Sequence, residues 1–188
     1  MAREQVKLKK AGAPAQIKRG QLLIEGKRAN DPWTLLGDDA AVPETGDIVV
    51  SQTRFKAERE TLLARNAGRL GVSVASADAV EEIADDVARL SVIFVEFPIF
   101  RDGRGYSSAR LLRERFGYKG ELRAIGDVLE DQIFYMLRCG FDAFEISAPD
   151  PDMIFARASK TFSAVYQPTA DGLEPAHVLR ARQRAGKA

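Results

Sequence analysis

The stretch that decides the fold is VIFVEFPIFRDGRGYSSARLLRERFGYKGELRAI, residues 92–125. It opens on Val92–Phe97, an almost continuous apolar run, as expected of a strand buried on both faces. From Ser107 to Phe116 the period changes, and Leu111, Leu112 and Phe116 fall on one side of a helix. Gly117 and Gly120 end that helix, and Glu121–Ile125 is apolar and extended again. Strand, helix and strand in so short a span predict a right-handed parallel crossover.

The same rhythm extends in both directions. Upstream, Asp47–Ser51 and Gly71–Ala75 read as strands, with helical patterns over 55–66 and 79–90. The second helix places Val80, Ile83, Ala84, Val87 and Leu90 on one stripe, with acids opposite. Downstream, Asp127 is positioned to cap a helix, with Glu130 as the acid of a capping box and Ile133, Met136 and Leu137 facing inward. That helix ends at Gly140, Phe141–Ile146 follows as a fifth strand, and a last helix runs over 152–165. About five βα units predict an α/β domain with a parallel sheet and helices on both faces. The chain is too short for an eight-unit barrel, which needs about 250 residues, and a partial-barrel variant is the alternative. Ahead of these units, Gln21–Glu25 and Trp33–Leu36 flank the polar turn GKRANDP and read as an N-terminal β-hairpin or β-extension. The expected organisation is a basic flexible arm over 1–19, a single domain over 20–167 with its hairpin extension at 20–45, and a flexible tail over 168–188.

Composition bounds the function. The chain has 188 residues, 45% hydrophobic and 29% charged, with a net charge of +1. Near-neutral charge argues against nucleic acid or an anionic membrane as a general partner. There is no apolar run of the ~20 residues that a membrane span requires, and the basic N-terminus lacks the apolar stretch of a secretory signal. A single cysteine and a single histidine, His177, exclude a disulfide framework and a His-rich metal site. A soluble protein of a reducing, cytoplasmic compartment is expected.

In parallel α/β folds ligands bind beyond the carboxyl ends of the strands. Here the end of Val92–Phe97 is the richest in polar groups: Glu96, then Arg101, Asp102, Gly103, Arg104, Gly105, Tyr106 and Ser107. The two glycines permit positive φ and close approach of a ligand. Ser107 or Ser108 would cap the next helix, whose first N–H groups favour an anion. Arg101, Arg104 and Arg110 offer guanidinium forks suited to phosphate, sulfate, sulfite or carboxylate. The plainer reading is a tight loop with surface ion pairs, Arg110–Glu114 being an ordinary i,i+4 pair. Arg123 lies inside a strand and needs a partner, which Glu96 or Asp127 could supply; it reads equally as a structural buried ion pair or as a ligand contact. Asp131 and Gln132 sit early in the next helix as candidate ligand contacts, although the dipole alone favours an acid there. Cys139, at a helix end beside Arg138, reads as a small packed thiol.

The motifs FRDGRGYS, LRERFGYKGELRAIGD and RCGFDAFE, within residues 94–146, resemble the bacterial family catalogued as domain of unknown function 934. That resemblance implies a genomic association with the sulfite reductase haemoprotein and with sulfate assimilation, and members are labelled oxidoreductases of sulfite reduction. It brings no established catalytic residues. A basic residue is common in the family where this chain has Glu130, which argues against a direct ligand role there. The chain has no dinucleotide fingerprint, no Walker motif and too few cysteines for an iron–sulfur cluster. No resident cofactor is expected; a redox role would use the cofactor of a sulfite reductase partner.

Three functions remain open. The first is an accessory protein of sulfite reduction that binds a small oxyanion or a partner through the arginine-rich loop. The second is an enzyme on a phosphorylated or carboxylated metabolite, with Asp102, Glu96 or Asp127 as acid or base. The third is a non-catalytic scaffolding subunit.

Overall fold

The computed structural model describes residues 19–185. Its centre is a curled, eight-stranded mixed sheet in the order β2-β1-β8-β7-β6-β5-β4-β3. The strands are β1 (Gln21–Ile24), β2 (Lys27–Arg28), β3 (Trp33–Leu35), β4 (Asp47–Ser51), β5 (Leu70–Val74), β6 (Val92–Phe97), β7 (Glu121–Gly126) and β8 (Ala143–Ile146). From β3 to β8 every neighbouring pair is parallel. β1 joins antiparallel to β8, and β2 antiparallel to β1.

The α/β architecture expected from the sequence is present. The repeat is less regular than five clear βα units. Two short helices, α1 (Gln52–Ala57) and α2 (Arg59–Ala64), lead to β5, and a 3₁₀ helix over Val80–Arg89 leads to β6. Next come α3 (Arg104–Arg110), running into a π turn at Leu111–Arg115, then α4 (Glu130–Arg138) and α5 (Pro151–Ala158). The crossover helix thus begins three residues before the expected Ser107, and the last helix of the domain is shorter than expected. A further helix, α6 (Ala176–Ala185), lies in the stretch read as a loose tail, and none of its residues is buried. Except for Arg19, the expected basic arm lies outside the described residues.

Helices on both faces are not what the structure shows. The strand order from β3 to β8 follows the sequence without reversal, and right-handed crossovers that always step the same way place their helices on the same side. One large core accordingly joins Val50, Val72, Ile93, Val95, Leu122, Ala124 and Phe144 of the strands to Phe55, Leu62, Ile83, Leu112, Ile133, Met136 and Phe155 of the helices. The opposite face has its own small core of Trp33, Val49, Val92, Phe94 and Ile125.

The expected N-terminal hairpin is also corrected. Gln21–Ile24 and Trp33–Leu35 do not pair with each other but lie toward opposite ends of the sheet. The small hairpin that does form, β1 with β2, turns at Glu25–Gly26, both with positive φ. The consequence is geometric. With strands about 4.8 Å apart, seven spacings from β2 to β3 would cover roughly 34 Å in a flat sheet. The four Cα steps from Ala29 to Trp33 reach only about 14 Å. The sheet must therefore curl until its edges approach, which leaves the helix-free face concave and brings the architecture closer to the partial-barrel alternative.

Candidate functional site at the carboxyl ends of the strands

Alternation along the strands decides which groups line the concave face. On β6 these are Val92, Phe94 and Glu96, and on β7 they are Glu121, Arg123 and Ile125. Glu96 comes last, at the carboxyl end. The Ser73 hydroxyl of β5 donates to its Oε1 at 2.6 Å. Burial pushes the Glu96 carboxyl above its ordinary range; the Ser73 hydrogen bond opposes this and the charge of Asp78 adds to it. A carboxyl group so placed keeps its proton to higher pH than an exposed one.

Arg123 is fully buried, and its partners are not the expected Glu96 or Asp127. Its Nε donates to Glu121 at 2.7 Å, and its Nη1 lies 3.2 Å from Glu145 and 2.9 Å from Asp31. The guanidinium also stands 4.5 Å from the centroid of the Phe94 ring. Arg19 completes the cluster by bonding both Glu145 and Asp31. Burial works against the charge on Arg123, but Glu121 and Asp31 outweigh it and the pKa rises. Burial raises the Glu121 pKa in turn, against the pull of Arg123. With its surrounding acids already engaged, Arg123 acts here as an internal ion-pair centre. It ties β7 to β8 and to the segment that links the two sheet edges.

The loop after β6 differs in detail from its sequence reading. Gly103 is the residue before α3 and has φ −84°. Neither Gly103 nor Gly105 is among the positive-φ residues. What requires glycine at 105 is contact, because a Cβ there would lie 2.8 Å from the Phe97 ring and 3.0 Å from Val95. The Ser108 hydroxyl donates back to the Arg104 carbonyl instead of capping the helix. Asp102 receives two bonds from the Arg104 side chain, at 2.9 and 2.6 Å, and the same guanidinium donates to Ser76 at 3.1 Å. These contacts hold the Asp102 carboxyl far below the usual carboxylate range.

The proposed ligand residues therefore separate. Asp102, Arg104 and Glu96 lie at the carboxyl ends of β5 and β6. Arg110 is paired with Glu114 on the helical side and lines a shallow groove there with Ser107 and Leu111. Tyr106 packs against Phe97 and Tyr135, and burial pushes its pKa up to about 12. Asp131 is at the start of α4, also on the helical side. Arg123 lies on the concave side, so the sheet stands between it and Arg110. Arg101 is exposed and makes no hydrogen bond or ion pair among the described residues.

Asp127 does not cap α4, whose N-cap position is Leu129. Its carboxylate turns back and accepts the Phe100 N–H at 2.9 Å, while Gln132 Nε2 donates to the Phe100 carbonyl at 2.9 Å. The backbone of Phe100 is thus held at both polar atoms. The side chains of Ile99 and Phe100 nevertheless remain 55% and 49% exposed, with Leu129 nearby in sequence to the clamp at 41%. Glu130 is taken up by Arg157. Burial pushes Cys139 up to about 11, in keeping with a packed thiol. Among the described residues, no three His, Cys, Asp or Glu side chains converge as metal ligands.

Sequence reasoning missed Ser73, Arg19 and Asp31. Only Ser73 carried a signal, as a lone hydroxyl inside a β-branched strand. Arg19 and Glu145 are 126 positions apart, and no local pattern joins them.

Fold and site together define an α/β protein with a one-sided helical layer and a polar rim at the carboxyl ends of its parallel strands. The chain belongs to the family described as bacterial protein of unknown function (DUF934), whose model matches residues 71–177, from β5 into α6. No curated protein matches the chain. No helix among the described residues is long and apolar enough to cross a membrane.

Proposed function

We propose that this protein is a recognition subunit that serves sulfite reduction by docking a partner protein on the loop Pro98–Arg104. The observation that carries this reading is the double clamp on Phe100. Asp127 and Gln132 fix its backbone, so Ile99 and Phe100 are displayed on a pre-ordered loop beside the exposed Arg101. Apolar side chains on a backbone ordered before binding lose less entropy on association, and an arginine at their edge fits an anionic group on the partner. The sulfite context rests on the family resemblance, and the partner it implies is the sulfite reductase haemoprotein. In this reading the haem belongs to the partner and the present chain supplies recognition. The test is titration of the purified haemoprotein from the same host with this chain, followed by calorimetry and by coelution of the haem absorption band. Saturable binding that Phe100→Ala weakens at least about tenfold is expected for an exposed aromatic anchor. Equal binding of the wild type and Phe100→Ala, or no binding at all, would refute it.

A second reading is favoured by Glu96. A carboxyl group raised by burial and bonded to Ser73 at the carboxyl end of a parallel strand suits a general acid or base acting on a small metabolite. This reading requires a substrate that reaches the concave face. It loses its basis if Glu96→Gln restores growth on sulfate as fully as the wild type.

A further inference from the structure

Arg138 ends α4 with its side chain only 8% exposed. Its Nη1 donates to both carboxylate oxygens of Asp171, at 3.0 and 2.8 Å, and its Nη2 donates to the Gln167 carbonyl. Both partners come from one loop. Ala176 N–H closes that loop by donating to the Val165 carbonyl at 2.7 Å. The loop buries little of itself: Tyr166 is 83% exposed and Leu173 is 51% exposed. Beside the ion pair lies a cavity of about 360 Å3, walled by Phe134, Leu137, Phe141 and Leu173. The other guanidinium at its wall is already engaged, because Arg113 donates to the carbonyls of Tyr118, Gly120 and Gly140 and to Asp142.

We propose that this cavity binds a small monocarboxylate with an apolar body, and that Asp171 is the built-in competitor for the ligand's place on Arg138. A buried guanidinium needs an anion, and its planar fork matches a carboxylate. Exchanging one carboxylate for another leaves the buried charge balance unchanged. A phosphate dianion would add a charge that no second free cation among the described residues at its wall neutralises. The apolar walls take the body of the ligand, and the surface loop carrying Asp171 moves aside. Because Asp171 is tethered, it competes at an effective concentration in the millimolar range. Wild-type affinity is therefore reduced, and the loop acts as an autoinhibitory gate.

Octanoate is the probe, titrated calorimetrically into the full chain, with octylammonium as the control of opposite charge. Asp171→Asn keeps the side-chain oxygen that accepts from the Leu173 N–H and the Thr169 hydroxyl, removes the charge, and replaces the other oxygen, which accepts from Arg138, with an NH2 group that cannot. Octanoate should bind this variant at least about tenfold more tightly than the wild type. The double variant Asp171→Asn with Arg138→Met should lose that binding, and octylammonium should bind none of the three. Equal affinity of wild type and Asp171→Asn, or binding by the double variant as tight as by Asp171→Asn, would overturn the proposal. A second measurement uses the wild type alone. Saturating octanoate should speed amide exchange over residues 167–173, and unchanged exchange would equally overturn it.

Discussion

Glu96 and Arg123 are both charged residues on the concave side of adjacent strands, yet burial acts on them differently. Arg123 has acids against it on several sides and stays charged. Glu96 has one hydroxyl partner and no cation partner among the described residues, and burial disfavours its charged form. The sign of the pH effect follows. The folded-state pKa of Glu96 lies above the ordinary 4.5, so the folded protein holds this proton more tightly than the unfolded chain. Its stabilising contribution is complete below 4.5 and is lost as pH rises through the folded value. Glu96→Gln, which cannot ionise, should therefore gain stability relative to the wild type as pH rises from 4 to 8. Urea unfolding at several pH values would check this, and a pH-independent difference would contradict it. The residues flagged in the FRDGRGYS motif were legible as polar and positioned at a strand end. Their pairing was not, because Arg104 chooses among Asp102, Ser76 and a ligand by distances that no spacing rule contains.

At the scale of elements, the loop after β6 owes its shape to contacts made with α4 and the end of β7. Asp127 is 27 positions from Phe100, and Gln132 is 32 positions away. Hydrogen bonds to a charged acceptor are worth about 1.5–3 kcal/mol when well shielded, and this one is partly exposed, so roughly 1 kcal/mol is reasonable. Asp127→Ala should then raise the amide exchange rate of Phe100 by about five- to tenfold, with global stability little altered. Protection of that amide at the wild-type level would show that the clamp does not order the loop. Helix and strand identities were readable from apolar spacing over 79–90, 92–97 and 130–137. The 3₁₀ form of Val80–Arg89 and the π turn at Leu111–Arg115 were not, because the same apolar positions serve any of these helical forms and packing selects among them. The opposite placement of β1 and β3 escaped the sequence reading for a related reason. Two short apolar runs around a polar turn have the local signature of a hairpin, whichever neighbours complete them.

For the whole molecule, the order β3 to β8 makes β5, β6 and β7 the centre of the sheet, covered by helices on one side and by the small inner core on the other. Amides deep in such a sheet exchange through global opening, whereas edge amides exchange through local fraying. Val72, Ile93 and Leu122 should be the slowest to exchange, and Lys27 and Thr34 among the fastest. A spectrum in which β3 matches β6 in protection would contradict the strand order. The sequence by itself determined the α/β class, the parallel run of strands and the polar character of their carboxyl ends. These follow from period, turn residues and composition, which are local. Only the tertiary structure decided that the crossovers all step the same way, that the helices share one face, that the sheet curls, and that Arg123 is paired by Glu121, Asp31 and Glu145. Each of these depends on which distant segments meet, as Arg19 meets Glu145 across 126 positions. Such meetings are selected by packing and charge compensation over the whole chain, and no window of sequence encodes them.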